Sequence, residues 1–160
     1  MIYTVTLNPS IDFIVRIDQI NLGSVNRMAS DDKFAGGKGI NVSRILQRLD
    51  IASTATGFLG GFTGRFIEES LSAEGVKTDF VKGDQDTRIN VKIKSQEETE
   101  LNGQGPIISR EQLEELKTKL SQLTAEDTVV FAGSAPANLG NAVYKELLPL
   151  VRQSGAPGGL

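Results

Sequence analysis

Phe34-Ala35-Gly36-Gly37-Lys38-Gly39-Ile40-Asn41-Val42-Ser43 sets a glycine-rich turn with one cation directly ahead of a helical pattern, in which Val42, Ile45, Leu46 and Leu49 recur at three- and four-residue spacing. Glycines let backbone amides approach a ligand and reach positive φ. The first amides of a helix have no intrahelical partner and favour negative charge. With Lys38 adding a full charge, the stretch reads as a cradle for an anion or a polyol. A plain strand-to-helix turn is the other reading, because short glycine-rich turns are common. It is not a nucleotide P-loop, which needs GxxxxGK followed by Ser or Thr. Here Lys38 is followed by Gly39, and Asp32 stands where the first glycine would sit. The other glycines, at 57, 60, 61 and 64 and at 103 and 105, lack GxGxxG spacing.

Around this turn, apolar residues bunch at 2–7, 52–59 and 128–132, short runs bounded by polar or glycine-containing turns, as buried strands are. Helical patterns lie between them. Phe62, Phe66, Ile67 and Leu71 form one that ends near Gly75, and Ser109 with Gln112 predicts a capping box ahead of Leu113, Leu116, Leu120 and Leu123. Strand-helix alternation of this kind predicts an α/β fold with a parallel sheet. Two stretches, 12–17 and 88–94, alternate polar and apolar instead, and a turn leads from the second to 98–102. They are half-buried strands, either an edge hairpin on the main sheet or a small antiparallel lid projecting from it. A last helix over about 142–154 stops at Gly155, where another buried strand is due. Ala156-Pro157-Gly158-Gly159-Leu160 stands there instead. This tail reads as unable to continue a sheet, as truncation or foreign sequence would be.

The 160 residues carry 17 Lys and Arg against 20 Asp and Glu, a net charge of −3, without a run of one sign, which argues against a broad nucleic-acid-binding face. Cysteine and histidine are both absent, which excludes disulfides, thiolate catalysis, Ser-His dyads and the usual zinc sites. Chemistry is left to carboxylates, Lys, Arg, amides and hydroxyls. The stretch 1–7 has neither a basic lead nor a long apolar run, so neither a signal peptide nor a membrane span is expected, and a cytoplasmic enzyme is the default.

Five motifs in order carry a resemblance: Thr6-Leu7-Asn8-Pro9-Ser10-Ile11-Asp12, Gly36-Gly37-Lys38-Gly39-Ile40-Asn41-Val42-Ser43, Gly57-Phe58-Leu59-Gly60-Gly61, Thr87-Arg88-Ile89-Asn90-Val91-Lys92 and Gly133-Ser134-Ala135-Pro136. From residue 2 to about 156 the chain resembles the PfkB-type sugar kinases of the ribokinase-like superfamily. Within that family, 87–92 and 98–103 look like the members that phosphorylate fructose 1-phosphate, with tagatose-6-phosphate kinases as near neighbours. The resemblance implies a ribokinase-like parallel-sheet sandwich, of which 1–160 would be the N-terminal part, with lid strands near 12–17, 27–34, 88–94 and 98–102. It also implies phosphoryl transfer from ATP with Mg²⁺ to a sugar phosphate, and a homodimer joined through the lid strands.

By the same resemblance Asp12 accepts hydrogen bonds from sugar hydroxyls, with Gly36, Gly37 and Asn41 beside it. Lys38, Arg88 and Arg27 would surround the phosphate already on the substrate, and Ser134 would be a further donor. Asn90 and Lys92 share the polar face with Arg88, and only Asn90 counts as a site candidate. Each has a structural alternative: Asp12 or Ser134 as turn residues, Arg27 or Arg88 as surface charges. No stretch here resembles the family's DTxGAGD motif, whose aspartate is the catalytic base. The resemblance therefore gives this chain the substrate-recognition half and no catalytic residue, with the ATP-binding half absent. A short, non-catalytic sugar-phosphate-binding or dimerisation module is the reading from another class.

Overall fold

The buried runs and amphipathic stretches fold as alternating strands and helices in a computed structural model that describes residues 1–159. In chain order the elements are β1 (Ile2–Thr6), β2 (Ser10–Arg16), β3 (Ser30–Gly36), α1 (Lys38–Arg48), β4 (Ser53–Gly60), α2 (Gly61–Ala73) and β5 (Lys77–Thr78). After these come β6 (Val81–Gly83), β7 (Arg88–Lys94), β8 (Glu98–Asn102), α3 (Arg110–Ser121), β9 (Thr128–Phe131), α4 (Val143–Gln153) and β10 (Gly158–Gly159).

One sheet has the order β10-β9-β1-β4-β5, with β6 also on β4, and every pairing in it is parallel. Side chains alternate along β1. Val5 joins Phe131, Leu116, Leu120, Leu147 and Val151 under α3 and α4. Thr4 faces the other way, its hydroxyl 2.6 Å from that of Ser43 on α1, which in turn accepts from Ser53 at 3.2 Å. A second core of Ile40, Ala55, Leu59, Ile67 and Leu71 seals α1 and α2 to that side. Each fully buried leucine contributes roughly 1.5–3 kcal/mol by leaving water.

The alternating stretches form a separate four-stranded sheet, β3-β2-β7-β8, rather than an edge hairpin on the main one. It departs from the antiparallel expectation, because β2 and β7 run parallel, with Ser10 beside Arg88 and Arg16 beside Lys94. Both strands leave the core in the same direction: β2 follows β1, and β7 follows the β4-α2-β6 segment, so neither returns on the other. Ile11 and Ala35 anchor this lid in the core beneath α1 and α2. Residues 27–29 precede the lid's edge strand β3, which spans Ser30–Gly36.

The tail also differs from expectation. Gly158 and Gly159 pair in parallel with Val129 and Val130, and the Val129 amide donates to the Pro157 carbonyl at 2.9 Å. Pairing needs only backbone donors and acceptors, which glycines keep.

Candidate functional site

A cleft of about 340 Å³ opens where the lid overhangs the carboxyl ends of β1 and β9 and the start of α1. Its walls are Thr6, Asn8, Ser10 and Asp12 from the β1–β2 passage, Gly37, Lys38 and Asn41 from α1, Arg88, Asn90 and Lys92 from β7, Glu100 and Asn102 from β8, and Gly133 and Ser134. Crevices outside the carboxyl ends of parallel strands are where open α/β folds bind ligands.

Backbone geometry makes the cradle. Gly37 caps α1 at φ 131° with no side-chain hydrogen bond, and Lys38 is the first helical residue. The first-turn amides therefore face the cleft without a side-chain acceptor. A Cβ on Gly37 would lie 2.7 Å from Thr6 Cγ2, and one on Gly39 would collide with the Thr6 hydroxyl, so only glycine lets this helix start settle on β1. At Gly36 a Cβ would come within 2.5 Å of Asp12 Oδ2. The bare Gly36 is what leaves room for that carboxylate.

Asp12 is held from both sides. Ser10 Oγ donates to Oδ1 at 2.8 Å, and Lys92 Nζ stands 3.6 Å from Oδ2. Arg88 is more than a surface charge: its Nε and one terminal nitrogen donate to the Asn8 carbonyl at 3.2 and 3.0 Å, and the other donates to the Gly103 carbonyl at 3.2 Å. It thereby ties the passage into the lid to the passage out of it. Three of its five N–H groups are used, leaving two. Burial pulls the Arg88 guanidinium below its ordinary pKa, and the charge of Asp12 pulls the other way. Asn90 is buried, and its Oδ1 accepts from the Gly103 amide at 3.1 Å. Ser134 follows Gly133, whose φ is 98° and whose carbonyl accepts from the Tyr144 hydroxyl at 2.6 Å. Burial raises the pKa of that hydroxyl, keeping it a donor.

Asp12, Gly37, Lys38, Asn41, Arg88, Asn90 and Ser134 thus meet in one place, with Gly36 forming the floor under Asp12. Arg27 does not join them. It lines a separate hollow with Asp18, Asn21 and Asn26, in the loop between β2 and β3. The cleft also holds Thr6, Asn8, Ser10, Glu100 and Asn102, which sequence reasoning did not single out, and Lys92, which it set aside in favour of Asn90. Period-two alternation from Arg88 through Asn90 points to Lys92, and the β7–β8 register then points to Glu100. A larger hollow of about 620 Å³ lies on the outer side of α1, but its Arg44 and Glu74 are spent on each other at 2.7 Å.

Comparison with known proteins decides the family. Residues 5–158 match the profile of the pfkB family carbohydrate kinase. The chain belongs to that family. It is 48% identical to 1-phosphofructokinase of Bacillus subtilis strain 168 over 98% of its own length and 52% of that protein's. It is 40% identical to tagatose-6-phosphate kinase of Staphylococcus epidermidis strain RP62A, over 97% of this chain and 51% of the relative. The fold matches phosphofructokinase-2 from Escherichia coli in complex with fructose-6-phosphate at a TM-score of 0.90 and 26% identity, covering 98% of this chain and 53% of that one. This pfkB-family chain spans about half the length of the curated relatives it matches.

Proposed function

We propose that this chain is the substrate-recognising portion of an ATP-dependent kinase that converts fructose 1-phosphate to fructose 1,6-bisphosphate. The observation that carries it is one cleft joining the Asp12 carboxylate on the lid to Lys38 and the uncapped amides of α1 on the core. A carboxylate suits sugar hydroxyls, while a helix start with a lysine suits a phosphate. Arg88, with two N–H groups to spare, adds a second cation to that phosphate end, and Asn41 and Ser134 add neutral donors. Phosphoryl transfer is mostly positioning and charge neutralisation, and this chain supplies the positioning of the acceptor.

ATP with Mg²⁺ is the donor in this reading. Among the described residues no three carboxylates gather to hold a divalent ion, so no step in this chain is routed through it. A homodimer through the lid is also part of the reading. It is supported by the lid's other face, where Phe13, Val91 and Leu101 lie in register with Ile89, Ile93 and Val15 beside them. No helix among the described residues is long and apolar enough to cross a membrane, and a cytoplasmic location is proposed on the function alone.

The test is kcat/KM of the complete protein for fructose 1-phosphate, tagatose 6-phosphate, fructose 6-phosphate and fructose. Fructose 1-phosphate should lead. Free fructose, which leaves the cations facing no phosphate, should lose several charge-assisted hydrogen bonds, together about 3–5 kcal/mol. A lead for tagatose 6-phosphate would move the assignment to that kinase, and a lead for free fructose would remove the phosphate pocket.

A further inference from the structure

Lys92 occupies the cleft wall without a place in the sequence motif's expected roles. It lies on the lid face that carries Arg88 and Asn90, two residues beyond Asn90, with Glu100 opposite it in the β7–β8 register. We propose that Lys92 is a positioning residue that, with Ser10, fixes the Asp12 carboxylate in the orientation that receives a sugar hydroxyl. The inference rests on the sugar-phosphate reading above and adds to it a residue and a division of labour.

The geometry is a two-sided hold. An aspartate χ2 is broad and roughly two-fold, so a carboxylate gripped at one oxygen still swings. Here Oδ1 accepts the Ser10 hydroxyl at 2.8 Å, while Oδ2 faces the Lys92 ammonium at 3.6 Å. That second distance is beyond a good hydrogen bond and within ion-pair range, so the attraction is electrostatic and leaves the lone pairs of Oδ2 available. The side chains are only 31% and 21% exposed, which weakens screening by salt compared with an open surface pair. Gly36 closes the third side, where any Cβ would push the carboxylate out of place. Lys94, the next residue on the same face, shows the contrast: it pairs with Glu98 at 2.5 Å, outside the cleft lining.

The experiment is a double-mutant cycle on the complete protein, read by calorimetric titration of fructose 1-phosphate. Lys92→Met keeps the length and removes the charge, and should weaken binding about tenfold. Lys92→Arg should regain most of that affinity, and Lys94→Met should bind as wild type does. In an Asp12→Asn background, Lys92→Met should add less than about twofold, because its target is already gone. Wild-type affinity in Lys92→Met would overturn the proposal, as would a Lys92→Met loss that adds in full to that of Asp12→Asn, since Lys92 would then act on the ligand directly. A wild-type protein that fails to bind fructose 1-phosphate would remove both this inference and the sugar-phosphate reading; binding with an additive cycle would remove only the inference.

Discussion

The two sheets of this molecule solve different problems with the same strand geometry. β4, at the heart of the parallel sheet, is buried at every one of its eight positions, whereas β8, at the lid's edge, is exposed at all five. The core strand gains its stability from apolar area on both faces. The lid strands split their faces, hydrophobic residues on one and Asp12, Arg88, Asn90, Lys92 and Glu100 on the other. The polar face is free to carry function because apolar packing anchors the lid at its base, through Ile11 and Ala35. Helix starts differ as well: α3 satisfies its amides with the Ser109–Gln112 box, while α1, which like α2 and α4 has no side-chain cap, opens beside the cleft.

That comparison breaks first in the core, if at all. Gly57 sits at φ 136°, and a Cβ there would strike the Thr6 carbonyl. Gly57→Ala should cost about 4 kcal/mol or more and prevent folding, as read by urea unfolding of the complete protein. A loss below about 1 kcal/mol would mean that the β1–β4 contact is looser than described.

A matched pair sharpens the contrast. Leu147 is fully buried under the sheet and Leu101 is 58% exposed on the lid. Leu147→Ala should lower stability by about 3 kcal/mol, and Leu101→Ala by less than about 0.5 kcal/mol in the monomer. Equal losses would show that the lid's apolar face is covered.

Arg88 joins the two regions, so its replacement should register in both. Arg88→Lys keeps the charge but not the fork that reaches both carbonyls, and should cost about 1–2 kcal/mol of stability with at least about a tenfold loss in fructose 1-phosphate affinity. Loss of affinity with unchanged melting would reduce Arg88 to a ligand contact alone.

The smallest effect belongs to the capped helix. Ser109→Ala should lower stability by about 1 kcal/mol in thermal melts and leave sugar-phosphate affinity untouched.

Much of the fold was legible because hydrophobic period and glycine placement act locally. The capping box, the helix after Gly37 and the buried strands all follow from neighbours within a turn or two. What escaped needed long-range pairing. The parallel run of β2 against β7 joins residues 10–16 to 88–94. The short β10 was hidden because glycine and proline suggest a loop until a partner strand offers its amides. At the site, Lys38, Asp12 and Arg88 stood out in motifs. Lys92 closed the same motif as Arg88 but was set aside, because nothing local shows where its ammonium reaches, toward Asp12 on another strand. Arg27 shows the reverse: a cation near the motifs in sequence stands in the β2–β3 loop and lines a separate hollow.

The most direct test of the central claim, that the cleft between lid and α1 holds the sugar phosphate, is a pair of calorimetric titrations on wild type and Asp12→Asn of the complete protein, one with fructose 1-phosphate and one with ATP. The substitution keeps size and removes the acceptor charge, so fructose 1-phosphate affinity should fall by roughly ten- to a hundred-fold while ATP affinity stays within about twofold. Unchanged fructose 1-phosphate binding with weakened ATP binding would place Asp12, and the cleft with it, in a nucleotide site.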